Sequence, residues 1–245
     1  MLDDSFKTIV SAIKEGRVLR DNIRKVIVFL LSTNAAEVAI FFVAILLGMP
    51  LPLVPAQVLW VNLVTDGTSD IALALEPKER RVMKRPPEDP KAPLIGGLLM
   101  SHIGFTGLVV TAVTMVVYIF SYGQSGDLNY ARTMAFTAIS IVSLLSVWSF
   151  RSLSESIWSR GFWGNIWVPV SLTVSALLHV LTIYVPYLRS FFETVPLGLG
   201  DWFEIIVISV VAVGVIDLRK KILHRANKIK KEKSGVIKQE VKAAA

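Results

Sequence analysis

The chain has 245 residues, 53% of them hydrophobic, no cysteine and a formal net charge of +7. The apolar residues gather in long runs, which points to an all-α, polytopic membrane protein rather than a soluble domain. The lack of cysteine excludes disulfides and thiolate metal sites.

Residues 1–25 read as a charged amphipathic helix running into the first span, without the short apolar core of a cleavable signal. A hydrocarbon core of about 30 Å needs roughly 20 mostly apolar helical residues. Six segments meet this: Val26–Gly48, Ala56–Leu75, Leu94–Phe120, Ala131–Phe150, Ile166–Val185 and Trp202–Ile216. The second is among the least apolar and the sixth is the shortest. Gly48-Met-Pro-Leu-Pro52 predicts a tight turn, because proline cannot continue a helix, so the first two spans form a hairpin. Glu76–Pro93 is a proline-rich loop, and Ser121–Asn129 a short polar one. Arg151–Gly164 carries Trp158, Phe162 and Trp163, as an interfacial aromatic belt does. Pro186–Asp201 is the longest loop on its side, with Asp201 placed to cap the last span. The Lys-rich tail beyond Leu218 is expected to fray. Three regions result: a cytoplasmic stalk helix at 1–25, a six-helix membrane domain at 26–217 and a basic tail at 218–245. No internal repeat of the kind found in many secondary transporters is visible.

Of the 26 Lys and Arg residues, only Arg132 and Arg189 fall outside four stretches: before the first span, between the second and third, between the fourth and fifth, and after the sixth. The positive-inside rule places those stretches, and both termini, in the cytoplasm. The charge is thus a matter of topology and of attraction to anionic lipid headgroups, and no nucleic-acid partner is expected. In this cysteine-free chain, an impermeant thiol reagent applied to intact cells should label Ser190→Cys and spare Ser234→Cys. The opposite pattern would invert the topology.

Ionisable groups at bilayer depth are expensive, about 2.5–3.5 kcal/mol for Asp near a helix centre. The first span carries Ser32, Thr33, Asn34 and Glu37; the second carries Asn62, Thr65, Asp66 and Asp70. Asn34 and Glu37 share a helix face by i,i+3 spacing, and Asn62 and Asp66 by i,i+4, with Thr65 beside them. Gly67 would allow the second span to unwind and free backbone carbonyls. The hairpin brings the two polar faces together. Carboxylate, amide and hydroxyl oxygens suit hard cations and not soft copper or zinc. Interhelical hydrogen bonding accounts for Ser32 and Thr33, but an unpaired carboxylate is poor glue, so Glu37 and Asp66 point to a cation path. Asp70 stands open between a third carboxylate of that path and a partner for Arg80 or Arg81. Glu204 and Asp217 read as interfacial, and His102 and His179 as packing or hydrogen-bonding residues. Gly97, Ser101, Gly104 and Gly107 form a small-residue packing face.

The order of several motifs resembles P-type cation-transporting ATPases, specifically the calcium-pump-like branch. Asp3-Asp-Ser-Phe-Lys-Thr-Ile-Val, Glu15-Gly-Arg, Asn22-Ile-Arg-Lys and Ser32-Thr-Asn-Ala-Ala-Glu37 resemble the exit from the phosphorylation domain into the fifth helix. Leu59-Trp-Val-Asn-Leu-Val-Thr-Asp-Gly67 resembles the sixth helix, and Met83-Lys-Arg-Pro-Pro87 and Pro90-Lys-Ala-Pro-Leu94 the loop after it. The specific match covers residues 3 to 97, and the remainder matches mainly as four further spans.

The resemblance implies the fifth to tenth helices of a ten-helix pump, with Asn34, Glu37, Asn62, Thr65 and Asp66 at cation-ligand positions. It implies calcium as the transported cation, with manganese, magnesium or a monovalent ion as alternatives. ATP and its magnesium would act only through N-terminal pump domains, supplied in cis or by a split partner. Two departures stand out: the place of an eighth-helix acid is held by Ser143, and Thr68-Ser-Asp70 puts an acid where one is not usual in calcium pumps. Asp-Lys-Thr-Gly, the Thr-Gly-Glu loop, Gly-Asp-Gly-Val-Asn-Asp and the fourth helix with its Pro-Glu segment do not occur in these 245 residues. The chain alone is therefore expected to be inactive toward ATP, with Asp3 and Asp4 in a hinge rather than a catalytic site. The expected location is a multi-pass place in the cell membrane or an internal one. The alternative function is a free-standing channel or ion-binding membrane protein that does not use ATP.

Overall fold

The computed structural model describes residues 2–78, 82–84, 93–153 and 162–244. All regular structure among them is helical: α1 (Leu2–Leu46), α2 (Pro55–Trp60), a π-helix at Val61–Asp66, α3 (Gly67–Ala74), α4 (Gly97–Ser125), α5 (Leu128–Phe150), α6 (Trp167–Tyr184), α7 (Pro186–Phe192) and α8 (Leu199–Ala244), with 3₁₀ turns at Val82–Lys84 and Phe162–Gly164. Five helices, α1, α4, α5, α6 and α8, are long and apolar enough to cross a membrane. The second expected span is the exception. It forms over 55–74, but as three pieces, α2, the π-helix and α3, rather than one continuous helix.

The hairpin turn closes as its glycine and prolines dictate. Gly48 takes a left-handed φ of 65°. Its N–H donates to the Ile45 carbonyl at 3.0 Å and that of Met49 to Ala44 at 2.9 Å, a Schellman ending that satisfies carbonyls α1 would otherwise leave bare. Pro55 then opens α2 at its first turn, where no N–H is needed. Side chains from later helices fasten this turn. Tyr118 Oη donates to the Pro50 carbonyl at 2.7 Å and Arg132 Nε to that of Leu51 at 3.0 Å. The buried Gln57 donates to the Phe192 carbonyl at 3.0 Å.

At the other end, the first half of α1 grips the segment that follows α3. Arg17 Nη1 donates to the Val82 carbonyl at 2.9 Å and Arg24 Nε to that of Leu94 at 2.7 Å.

α5 is the centre of the bundle, touching α1, α3, α4, α6, α8 and the π-helix. Its sequence allows this: Thr133, Thr137, Ser140, Ser143, Ser146 and Ser149 are all fully buried. Small hydroxyl residues let neighbouring helices approach closely. Thr133, Thr137 and Ser146 return their hydroxyls to carbonyls of their own helix, as Thr137 does to the Thr133 carbonyl at 2.8 Å.

Several expectations are corrected in detail. The polar connection expected over Ser121–Asn129 shrinks to Gly126 and Asp127. Gly126 ends α4 with a φ of 65°, and Asp127 caps α5 by accepting from the Asn129 and Tyr130 amides. The loop expected over Pro186–Asp201 contains α7. Asp201 is not an N-cap: α8 begins at Leu199, and the Asp201 carboxylate reaches back to the Gly198 N–H at 2.8 Å. The tail expected to fray continues as helix to Ala244. Asp217 is buried against the protein and held by Lys220 at 3.3 Å and Lys221 at 3.4 Å. Lys220 in turn donates to the Ser149 and Ser152 carbonyls at the end of α5, where a cation meets the negative end of the helix dipole.

Of the expected small-residue face, only Gly107 is a close contact. A Cβ there would lie 3.3 Å from the Ser32 carbonyl and 3.4 Å from the Ala35 Cβ, whereas open space surrounds Gly97 and Gly104. Ser101 instead receives Arg219. Trp163 is exposed, as an interfacial residue would be, and Trp158 lies outside the described residues.

Candidate cation site

The site begins with the break in the second span. Asn62, Thr65 and Asp66 all lie in the π-helix, whose wider turns recur at functional sites. Hydroxyls supply partners for its carbonyls. Thr68 Oγ1 donates to Val64 at 2.8 Å and Ser69 Oγ to Thr65 at 2.7 Å. Ser175 Oγ of α6 lies 3.3 Å from the Val64 carbonyl and is hydrogen-bonded to Thr68. Gly67 itself has an ordinary helical backbone, φ −59° and ψ −42°. The break therefore precedes the glycine, and the expected unwinding at Gly67 is replaced by a π turn that keeps its backbone bonded.

The two polar faces meet as the hairpin requires. Asn62 Nδ2 donates to Glu37 Oε2 at 2.7 Å and to the Val58 carbonyl at 3.0 Å. Glu37 is buried, and Thr65 and Asp66 are fully buried. Asp66 lies within electrostatic reach of Glu37 and Asp70, with the Thr33 side chain beside it. Among the described residues, five buried oxygens here have no hydrogen-bond partner: Glu37 Oε1, Thr65 Oγ1, both carboxylate oxygens of Asp66, and Asp70 Oδ1. A buried carboxylate without a partner is strongly disfavoured unless a proton or a cation compensates it.

Other expected members sit less centrally. Asn34 is half-buried on α1, and no hydrogen bond joins it to the other four among the described residues. Ser32 and Thr33 turn their hydroxyls to α1 carbonyls, Ser32 to Val28 at 2.6 Å and Thr33 to Leu30 at 3.1 Å, rather than across to a neighbouring helix. Arg80 and Arg81, weighed as partners of Asp70, lie outside the described residues. Ser143 is fully buried on α5 with its hydroxyl unpartnered, and α5 touches the π-helix. No three acidic or histidine side chains converge tightly enough to hold a metal ion among the described residues. The histidines are packing residues, as expected: His179 meets Thr137 Oγ1 at 3.2 Å and the Phe136 ring at 4.5 Å, and His102 lies 5.4 Å from the Phe150 ring.

Sequence reasoning missed a second buried polar cluster, at the far end of α3. Glu76 and Arg151, 75 residues apart, form an ion pair with both side chains almost fully buried. The available signal was slight: a lone acid between an apolar run and a proline.

A family model described as "Cation transporting ATPase, C-terminus" matches residues 50–222. The chain is 40% identical over 212 residues to a calcium-transporting ATPase of Bacillus subtilis, covering 86% of this chain and 24% of that protein. It is 33% identical over 209 residues to a probable cation-transporting ATPase F of Mycobacterium bovis, covering 85% and 23%. It is 32% identical over 251 residues to an endoplasmic reticulum calcium ATPase of Aspergillus fumigatus, covering 90% and 26%. The chain thus spans about a quarter of the length of these relatives.

Proposed function

Because the chain belongs to the P-type cation-transporting ATPases and matches their C-terminal membrane region, we propose that it forms the cation-binding and translocation part of an ATP-driven pump. One observation carries the reading. Two carboxylates from neighbouring segments, Glu37 and Asp66, are buried together; Asn62 bonds one oxygen of Glu37, and the other Glu37 oxygen and both of Asp66 have no partner among the described residues. Such a site has unsatisfied negative charge and oxygen donors, which is what a desolvated hard cation needs.

In this reading Glu37, Asn62, Thr65 and Asp66 are ligands, Asn34 completes their face from α1, and Asp70 extends the acidic path. The cargo is a hard divalent cation. Calcium is favoured by the names of the relatives in Bacillus subtilis and Aspergillus fumigatus. Calcium takes six to eight oxygens, more than these residues offer, so other parts of the pump complete the shell. Phosphorylation by ATP is likewise the task of other pump domains.

The test is phosphorylation from labelled ATP. A full-length pump containing this segment should form an acid-stable phosphoenzyme only when the cation is present, and the isolated 245 residues should form none. Phosphorylation of the isolated chain would place the phosphate acceptor within it and overturn this division of labour.

A further inference from the structure

We propose that Glu76 is a positioning residue that makes α1 and the Asp66 segment move as one body. The inference rests on the pump reading given above. The last carbonyls of a helix have no partners within it, so other groups must supply them. Two asparagines do so. Asn22 of α1 donates through Nδ2 to the Ala74 carbonyl at 3.0 Å and the Glu76 carbonyl at 2.8 Å. Asn165, just before α6, donates to the Ala72 carbonyl at 2.9 Å and to Glu76 Oε2 at 2.8 Å. The Glu76 carboxylate also takes Arg151 Nε, at 3.2 Å to Oε1 and 3.1 Å to Oε2, from the end of α5. Lys25 Nζ holds Asn22 through its Oδ1 at 3.0 Å. Glu76, Asn22, Lys25, Arg151 and Asn165 are each no more than 5% exposed.

One carboxylate and its own carbonyl therefore join four elements: α1, the end of α3, the end of α5 and the start of α6. A buried ion pair with further hydrogen bonds is costly to break one partner at a time, so the joint is stiff. Glu76 follows Asp66 by ten residues, about 15 Å along a helix. Displacement of α1 is carried through Asn22 to α3 and so to the turn that holds Asp66. Without the joint, the Glu37–Asn62 bond and the hairpin turn remain to tie α1 to the Asp66 segment, and the coupling loosens.

The experiment compares Glu76→Gln and Asn22→Ala in a full-length pump containing this segment, reading calcium ions moved per ATP hydrolysed in sealed vesicles. Glutamine keeps the shape of Glu76 but removes the charge that faces Arg151; Asn22→Ala cuts the link from α1 to the Ala74 and Glu76 carbonyls, together with the Lys25 bond within α1. Both ratios should fall at least fivefold. A merely structural role lowers the amount of folded pump, changes both rates together and leaves the ratio unmoved. An unchanged ratio in either folded variant overturns the proposal, and Asn22→Ala decides alone should Glu76→Gln not fold. Absence of calcium-coupled turnover in the unaltered pump would instead overturn the functional reading beneath it.

Discussion

Asp66→Asn should abolish cation-dependent phosphorylation of a full-length pump containing this segment. Asp66 is fully buried, and neither carboxylate oxygen has a hydrogen-bond partner among the described residues. Asparagine preserves its shape and one carbonyl oxygen, so the substitution removes charge and little else. Two unit charges 4 Å apart attract by about 4 kcal/mol at an effective dielectric near 20, and a divalent ion doubles that. If desolvation cancels half, roughly 4 kcal/mol remains, close to a 1,000-fold loss of affinity. A loss of that size takes the ion out of the working range. The measurement is phosphoenzyme formed from labelled ATP against cation concentration. Full phosphorylation at the ordinary concentration would remove Asp66 from the site.

Glu37→Gln should weaken the cation by about 100-fold, roughly 2.7 kcal/mol, and leave phosphorylation recoverable at higher concentration. Two features make the loss smaller. Glu37 Oε2 is already committed to Asn62 at 2.7 Å, so only Oε1 is free to meet an ion. A glutamine carbonyl can accept that same bond, which keeps the two polar faces joined. The same titration checks it: the midpoint should move to the right with the maximum retained. An unmoved midpoint would make Glu37 a support for Asn62 rather than a ligand, and a lost maximum would mean that the bridge, not the charge, is what matters.

Both residues were legible from sequence because each part of the inference was local. Spacings of three and four within a helix put Asn34 near Glu37 and Asn62 near Asp66, and the Gly48–Pro52 turn required the two faces to meet. The form of the second span was not legible. Helix periodicity registers which face is polar, but not whether a turn takes in one more residue, so Gly67 drew attention as the breaker while the irregularity lay at Val61–Asp66. The Glu76–Arg151 joint was hidden for the opposite reason. Its partners are 75 residues apart, and Arg151 had a sufficient explanation as a cytoplasmic charge. Periodicity and local charge therefore locate a polar cluster, while the long-range pairs around it need coordinates.

One cation should bind between α1 and the broken second span, because Ser143 adds no charge for a second. Equilibrium binding of labelled calcium to a full-length pump containing this segment tests it most directly, with sites counted by phosphoenzyme. The expected result is one calcium per phosphorylation site, little change in Ser143→Ala and none bound in Asp66→Asn. Two calcium ions per site, or undiminished binding in Asp66→Asn, would contradict it.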